Sequence, residues 1–173
     1  MRTATLFALA LAATLAAPAS SAAEPKPEIQ RDAATPQPVG AAHTLRRIPE
    51  ACARMEGRFT GDAADPYAFS LVRTSASCQP RAQFVDAAKV KPSLASGWKL
   101  NDLIRVPNAD CPSQQAVVRI WRKPAEVAPP ELDAQGRSRL YLKDLKAAAK
   151  QGELNPVPLF AAEMAMDGQG CGG

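Results

Sequence analysis

Apolar and polar side chains alternate along QAVVRIWRK (115–123), with Val118 and Ile120 on one side of the alternation and Val117, Arg119, Trp121 and Lys123 on the other. Period two is the mark of a strand that lays one face on a core. Comparable short runs recur as GRFTG around Phe59, YAFSLVRT (67–74), RAQFVDA (81–87), WKLNDLIRV (98–106), RLYL (139–142) and VPLFAAEMAM (157–166). Turn residues separate them, among them Gly61-Asp62, Ser77-Cys78-Gln79-Pro80, Pro107-Asn108 and Asp133-Ala134-Gln135-Gly136. The pattern predicts a mainly β chain of about seven short strands, folded as an antiparallel β-sandwich or a partly open barrel.

Two stretches depart from period two. PEACARMEG (49–57) has Pro49 suited to a first helical turn, apolar groups at Ile48, Cys52 and Met55, and Gly57 as a stop, which predicts one short N-terminal helix. KDLKAAAKQ (143–151) is built of good helix formers, with Leu145 and Ala149 four apart and Gly152 behind them. It predicts a second short helix, with an extension of the preceding strand as the alternative.

Ahead of these elements, residues 24–47 show no sustained apolar period and carry Pro25, Pro27, Pro36 and Pro38. Such a stretch buries too little surface to offset its ordering entropy, so the expectation is a disordered Pro/Ala-rich linker, with the domain confined to 48–171. Residues 1–23 read as a secretory signal peptide: Arg2 supplies the basic start, an apolar run follows at 4–17, and Ser21-Ala22-Ala23 supplies the cleavage site. That run is shorter than the ~20 residues of a membrane span, and no later run is longer, so no transmembrane segment is expected in the mature chain. The first cysteine, Cys52, lies too far downstream for lipid-anchored maturation. The expected location is periplasmic or extracellular.

Export changes the reading of the cysteines. Cys52, Cys78, Cys111 and Cys171 form an even set with no close C-x₂₋₄-C spacing, which favours two disulfides over a zinc site. Cys52 precedes one strand and Cys78 follows its antiparallel neighbour; Cys111 and Cys171 bracket a second such pair. The preferred connectivity is therefore Cys52–Cys78 and Cys111–Cys171.

The formal net charge is +4 at pH 7, one unit of it from Arg2, which is too mild for a dedicated nucleic-acid binder. The cations nevertheless cluster. Arg119, Trp121 and Lys123 share one strand face, and RLYLK repeats the arrangement with Arg139, Tyr141 and Lys143. If the two strands pair, a basic-aromatic strip crosses the sheet, able to stack on rings or sugars while holding phosphate or carboxylate groups. The competing account is an ordinary solvated sheet face stabilised by cross-strand pairs.

Other chemistry is thinner. Met164 and Met166 share a strand face and present soft sulfurs suited to Cu(I), though without a nearby histidine they read as core filling, and no metal or other cofactor is expected. The aspartates match no spaced calcium loop. A histidine-dependent hydrolase would have to use His43, which falls in the expected linker. Paired carboxylates drawn from Glu50, Glu56, Asp86, Asp102, Glu131 and Glu163 remain open to convergence in three dimensions.

The sequence thus points to a non-catalytic binding or structural domain of the cell envelope, engaging a partner protein or an anionic polymer through the basic-aromatic face. The alternatives are inhibition of a secreted hydrolase by the proline-rich connection at 124–136, and a carboxylate-dependent hydrolase.

Overall fold

A computed structural model describes residues 24–125, 134–135, 147 and 157–171. Strands β1 (His43–Ile48), β2 (Ala53–Phe59) and β3 (Tyr67–Arg73) form one antiparallel sheet in that order. The second sheet has the order β4-β7-β6-β5, made of β4 (Gln83–Phe84), β5 (Lys99–Pro107), β6 (Gln114–Lys123) and β7 (Leu159–Gly168). Pairing in it is antiparallel except between β4 and β7, which run parallel.

The two sheets bury a common core. Leu45, Ile48, Met55, Phe59 and Tyr67 from the first meet Ile104, Val106, Val118, Ile120 and Phe160 from the second. Alternation explains the choice: Val118 and Ile120 are fully buried between the sheets, as the pattern of β6 requires. A second cluster lies on the far face of the four-stranded sheet, where Trp98, Leu100, Trp121 and Ala161 are covered by Val85, Ala87 and Val90. The covering segment includes one helical turn, α1 (Ala87–Val90), whose amide at Ala88 is capped by Asp86 Oδ1 at 3.0 Å.

The mainly β architecture, with seven strands among the described residues, matches the sequence expectation, but three elements differ. The helix expected at 49–57 is a single 3-10 turn, Pro49–Ala51, and the rest is β2. Ile48, Cys52 and Met55 are all buried, yet Ala53, Met55 and Phe59 alternate with Arg54, Glu56 and Arg58, so period two prevails. Cys52 turns the chain between them in a left-handed conformation, φ 52°. The strand expected at 81–87 shrinks to two residues before Asp86 starts α1. Third, His43–Arg47, assigned by sequence to the linker, belong to β1, with Leu45 in the core. The strand expected at 139–142 and the helix at 143–151 lie outside the described residues.

The remainder of the expected linker is also docked. Residues 28–37 run along the open edge of β5, where Glu28 N–H and Ile29 N–H donate to the carbonyls of Leu100 and Asn101. Ala34 N–H and Gln37 N–H donate to those of Arg105 and Pro107. Only isolated parallel bridges form, Ile29 with Asp102 and Gln37 with Asn108. Prolines cannot donate to a ladder, so the four of them confine this arm to an edge position.

Both expected disulfides are present. Cys52–Cys78 and Cys111–Cys171 have Cα–Cα separations of 5.9 and 5.6 Å. Each closes the end of an antiparallel pair, β2/β3 and β6/β7.

Candidate functional site

Only the β6 half of the expected basic-aromatic strip falls within the described residues. Both edges of β6 are occupied along its length, by β5 on one side and β7 on the other. Arg139, Tyr141 and Lys143 lie outside the described residues, as does most of the connection at 124–136. Trp121 does sit on the face opposite Ile120, but that face is covered: the ring is 7% exposed and its Nε1–H donates to Glu163 Oε2 at 2.8 Å. Of the three residues on this strand, Lys123 alone stands exposed.

The cations have partners in the N-terminal arm. Arg119 donates through Nε to Glu24 at 2.6 Å, and Arg105 reaches the same carboxylate at 3.4 Å. Arg122 meets Glu28 in a two-point contact at 3.0 and 2.6 Å, which, with Asn101, holds the Glu28 carboxyl below its ordinary range. The charge is complementary in the reverse sense one position along β5. Asp102, fully buried, accepts from Arg31 Nε and Nη2 at 3.0 and 2.6 Å and from Arg46 Nη1 at 2.5 Å. Three segments converge on this carboxylate: the arm, β1 of the first sheet and β5 of the second. Two cations of RIWRK, Arg119 and Arg122 on opposite faces of β6, are therefore held by the chain's own amino-terminal arm.

Two of the carboxylates considered for catalysis share a groove of about 720 Å³ between α1 and β7, lined by Asp86, Lys91, Arg119 and Glu163. Each is already committed. Asp86 caps α1 and Glu163 holds the Trp121 indole. Met164 lines the same groove and, with Met166, packs against the core cluster, as core filling predicts. Among the described residues no group of three or more His, Cys, Asp or Glu is placed to hold a metal ion.

His43 requires a correction of its own, since it lies in β1 and not in a linker. Its Nδ1 is 3.2 Å from the Ala41 carbonyl and its Nε2 is 2.7 Å from the Tyr67 hydroxyl. Nδ1–H donating to the carbonyl leaves Nε2 to accept from the phenol, which fixes a neutral ring. Burial lowers the His43 pKa and raises that of Tyr67, so the hydroxyl is the opposite of an activated nucleophile. The contact exists because Gly57, paired with His43, lies beneath Tyr67: a Cβ there would stand 2.0 Å from the phenol oxygen.

The remaining feature is one that sequence reasoning missed. In β3, Tyr67, Phe69 and Leu71 project to the core side, opposite Phe59, Gly57 and Met55 of β2. Tyr67 is buried, but Phe69 is 39% and Leu71 47% exposed, because the described strands of the second sheet do not extend over this edge. Beneath Leu71 a groove of about 300 Å³ opens between the sheets, lined by Ala53, Arg73, Pro80, Ala82 and Phe84. YAFSLVR signalled a strand and nothing in its alternation distinguishes a covered inner face from an uncovered one. No family model, no curated protein and no solved structure matches this chain.

Proposed function

We propose that this chain is an exported, non-catalytic binding domain whose open side between β3 and β4 docks a partner protein. The observation that carries the reading is the exposure of Phe69 and Leu71 on the inner face of an edge strand, with Leu71 bordering a largely apolar groove. Large apolar side chains that share one face and border a groove mark an interaction surface more often than isolated ones do. Export is supported by the two disulfides, which persist in oxidising compartments, and by the sequence of residues 1–23. Against catalysis stand the structural commitments of Asp86 and Glu163 and the neutral His43–Tyr67 contact.

The test is a photo-crosslinking amino acid placed at Phe69 in the producing cell, with the same group at Val39 as a control. Val39 is exposed to a similar degree, 41%, but lies away from the β3 side. A protein adduct formed from position 69 and not from 39 supports the reading. Equal adducts from both, or none from 69, overturn it.

A further inference from the structure

Among the described residues the two sheets present four edges, and three of them are blunted by separate devices. β1 carries a register shift between Thr44 and Arg46 and two consecutive arginines. β5 is covered by the N-terminal arm. β4 is only two residues long. Bulges, charges, short length and a covering segment are the ordinary protections of a sheet edge. β3 has none of them among the described residues: it is seven residues long, pairs without a register shift, contains no proline, and carries its single charge at its last residue, Arg73.

The hydrogen-bond phase of β3 follows from its two ends. Thr74 N–H donates to the Cys52 carbonyl, and Thr60 N–H donates to the Pro66 carbonyl. Even-numbered residues of this strand therefore turn their backbone groups toward β2. The N–H and C=O groups of Tyr67, Phe69, Leu71 and Arg73 point to the free edge.

We infer that β3 is a self-association edge, pairing antiparallel with β3 of a second copy about a two-fold axis at Ser70. This rests on the docking surface proposed above and names its occupant. The strand is self-complementary in that register: Phe69 falls opposite Leu71 of the second copy, Ala68 opposite Val72, and Tyr67 opposite Arg73. All seven residues pair, and the outward-pointing odd-numbered residues meet odd-numbered partners, as hydrogen-bonded pairs must. Directly opposed residues share a face, so Phe69 of the second copy lies beside Leu71 at the mouth of the groove. The two Arg73 residues end up about 20 Å apart, at opposite ends of the paired strands; each guanidinium is already occupied by the carbonyls of Ser75, Ala76 and Cys78. A parallel pairing would bring these charges together. Closure about one axis joins two three-stranded sheets into one six-stranded sheet.

The experiment combines sedimentation of the mature, oxidised chain over a concentration series with a cysteine trap. Ser70 on the axis forms a non-hydrogen-bonded pair with its own copy, with Cα atoms about 4.5 Å apart, within the range a disulfide spans. Ser70→Cys is expected to give a covalent dimer on mild oxidation, while Thr44→Cys, on an exposed site of β1, is not. The wild type should show a concentration-dependent doubling of mass, and Phe69→Lys with Leu71→Lys should weaken dimerisation roughly 30-fold or more. A chain monomeric at every concentration, or a dimer that neither yields the Ser70→Cys crosslink nor responds to the lysines, overturns the inference. Adducts from position 69 that contain a different protein, from a monomeric chain, refute the second copy and leave the docking surface standing.

Discussion

Replacing Asp102 with alanine removes the carboxylate on which the arm and both sheets converge, and its cost can be worked from the exposure of each partner. Breaking a buried ion pair by deleting one member costs about 3–5 kcal/mol, because the other charge is left without compensation. The two arginines do not contribute alike. Arg46 is 18% exposed and loses its partner in a poorly hydrated site, whereas Arg31 is 35% exposed and recovers water. An exposed pair is worth about 0–1 kcal/mol, so the value expected for Asp102→Ala lies at the lower end, about 3 kcal/mol. At about 2–4 °C per kcal/mol for a chain of this size, the midpoint should fall by about 6–12 °C. Urea unfolding of the oxidised protein measures the free-energy loss and a thermal melt the midpoint, beside Arg46→Met and Arg31→Met. Arg31→Met should cost no more than about 1 kcal/mol while exposing the arm to proteolysis. A loss below about 1 kcal/mol for Asp102→Ala, or equal losses for the two arginines, would refute the reasoning.

Three further outcomes follow from other parts of the fold. Gly57→Ala forces the Tyr67 ring off the sheet and should destabilise by about 1–3 kcal/mol as an overpacking defect, while Tyr67→Phe in the same background should recover part of it, both read by thermal melts. Stability should fall as pH drops below about 6.5, because the unfolded chain then protonates His43 while the folded chain, with its lowered pKa, does not. Glu28 adds a loss of the same sign near and below pH 4.5, where the unfolded chain takes up a proton that Arg122 resists in the fold; His43→Gln should remove only the upper step. For the disulfides, opening the Cys111–Cys171 link, which spans 60 residues, should cost about 4 kcal/mol. The Cys52–Cys78 link spans 26 and should cost about 3.5 kcal/mol, so paired Ser variants in urea titrations should rank in that order.

The strands and the cysteine pairing were legible because each depends on local alternation and on where a residue stands relative to its strand. Val118 and Ile120 inside, and Cys52 and Cys78 at one end of an antiparallel pair, need no long-range information. The N-terminal arm was illegible for a physical reason. It is held by backbone donation to β5 and by Glu24, Glu28 and Arg31 meeting charges more than 70 residues away, and neither leaves an apolar period. Prolines that exclude a regular strand also mimic the composition of disorder. Trp121 shows the converse limit. Alternation placed it opposite Ile120, but that α1 and its flanking loop cover that face depends on the crossover from β4 to β5. The same holds for Phe69 and Leu71, whose exposure is decided by how far the opposite sheet reaches.

Residue-resolved hydrogen exchange along β3 tests the central claim most directly, because a free edge and an occupied one differ amide by amide. In the dilute protein the amides of Ala68, Ser70 and Val72 should be protected through β2, and those of Phe69 and Leu71 should exchange freely. At high concentration, or with a docked partner, Phe69 and Leu71 should gain protection. Protection of these two amides already in the dilute monomer, or its absence under every condition, would contradict the assignment of this edge as the docking surface.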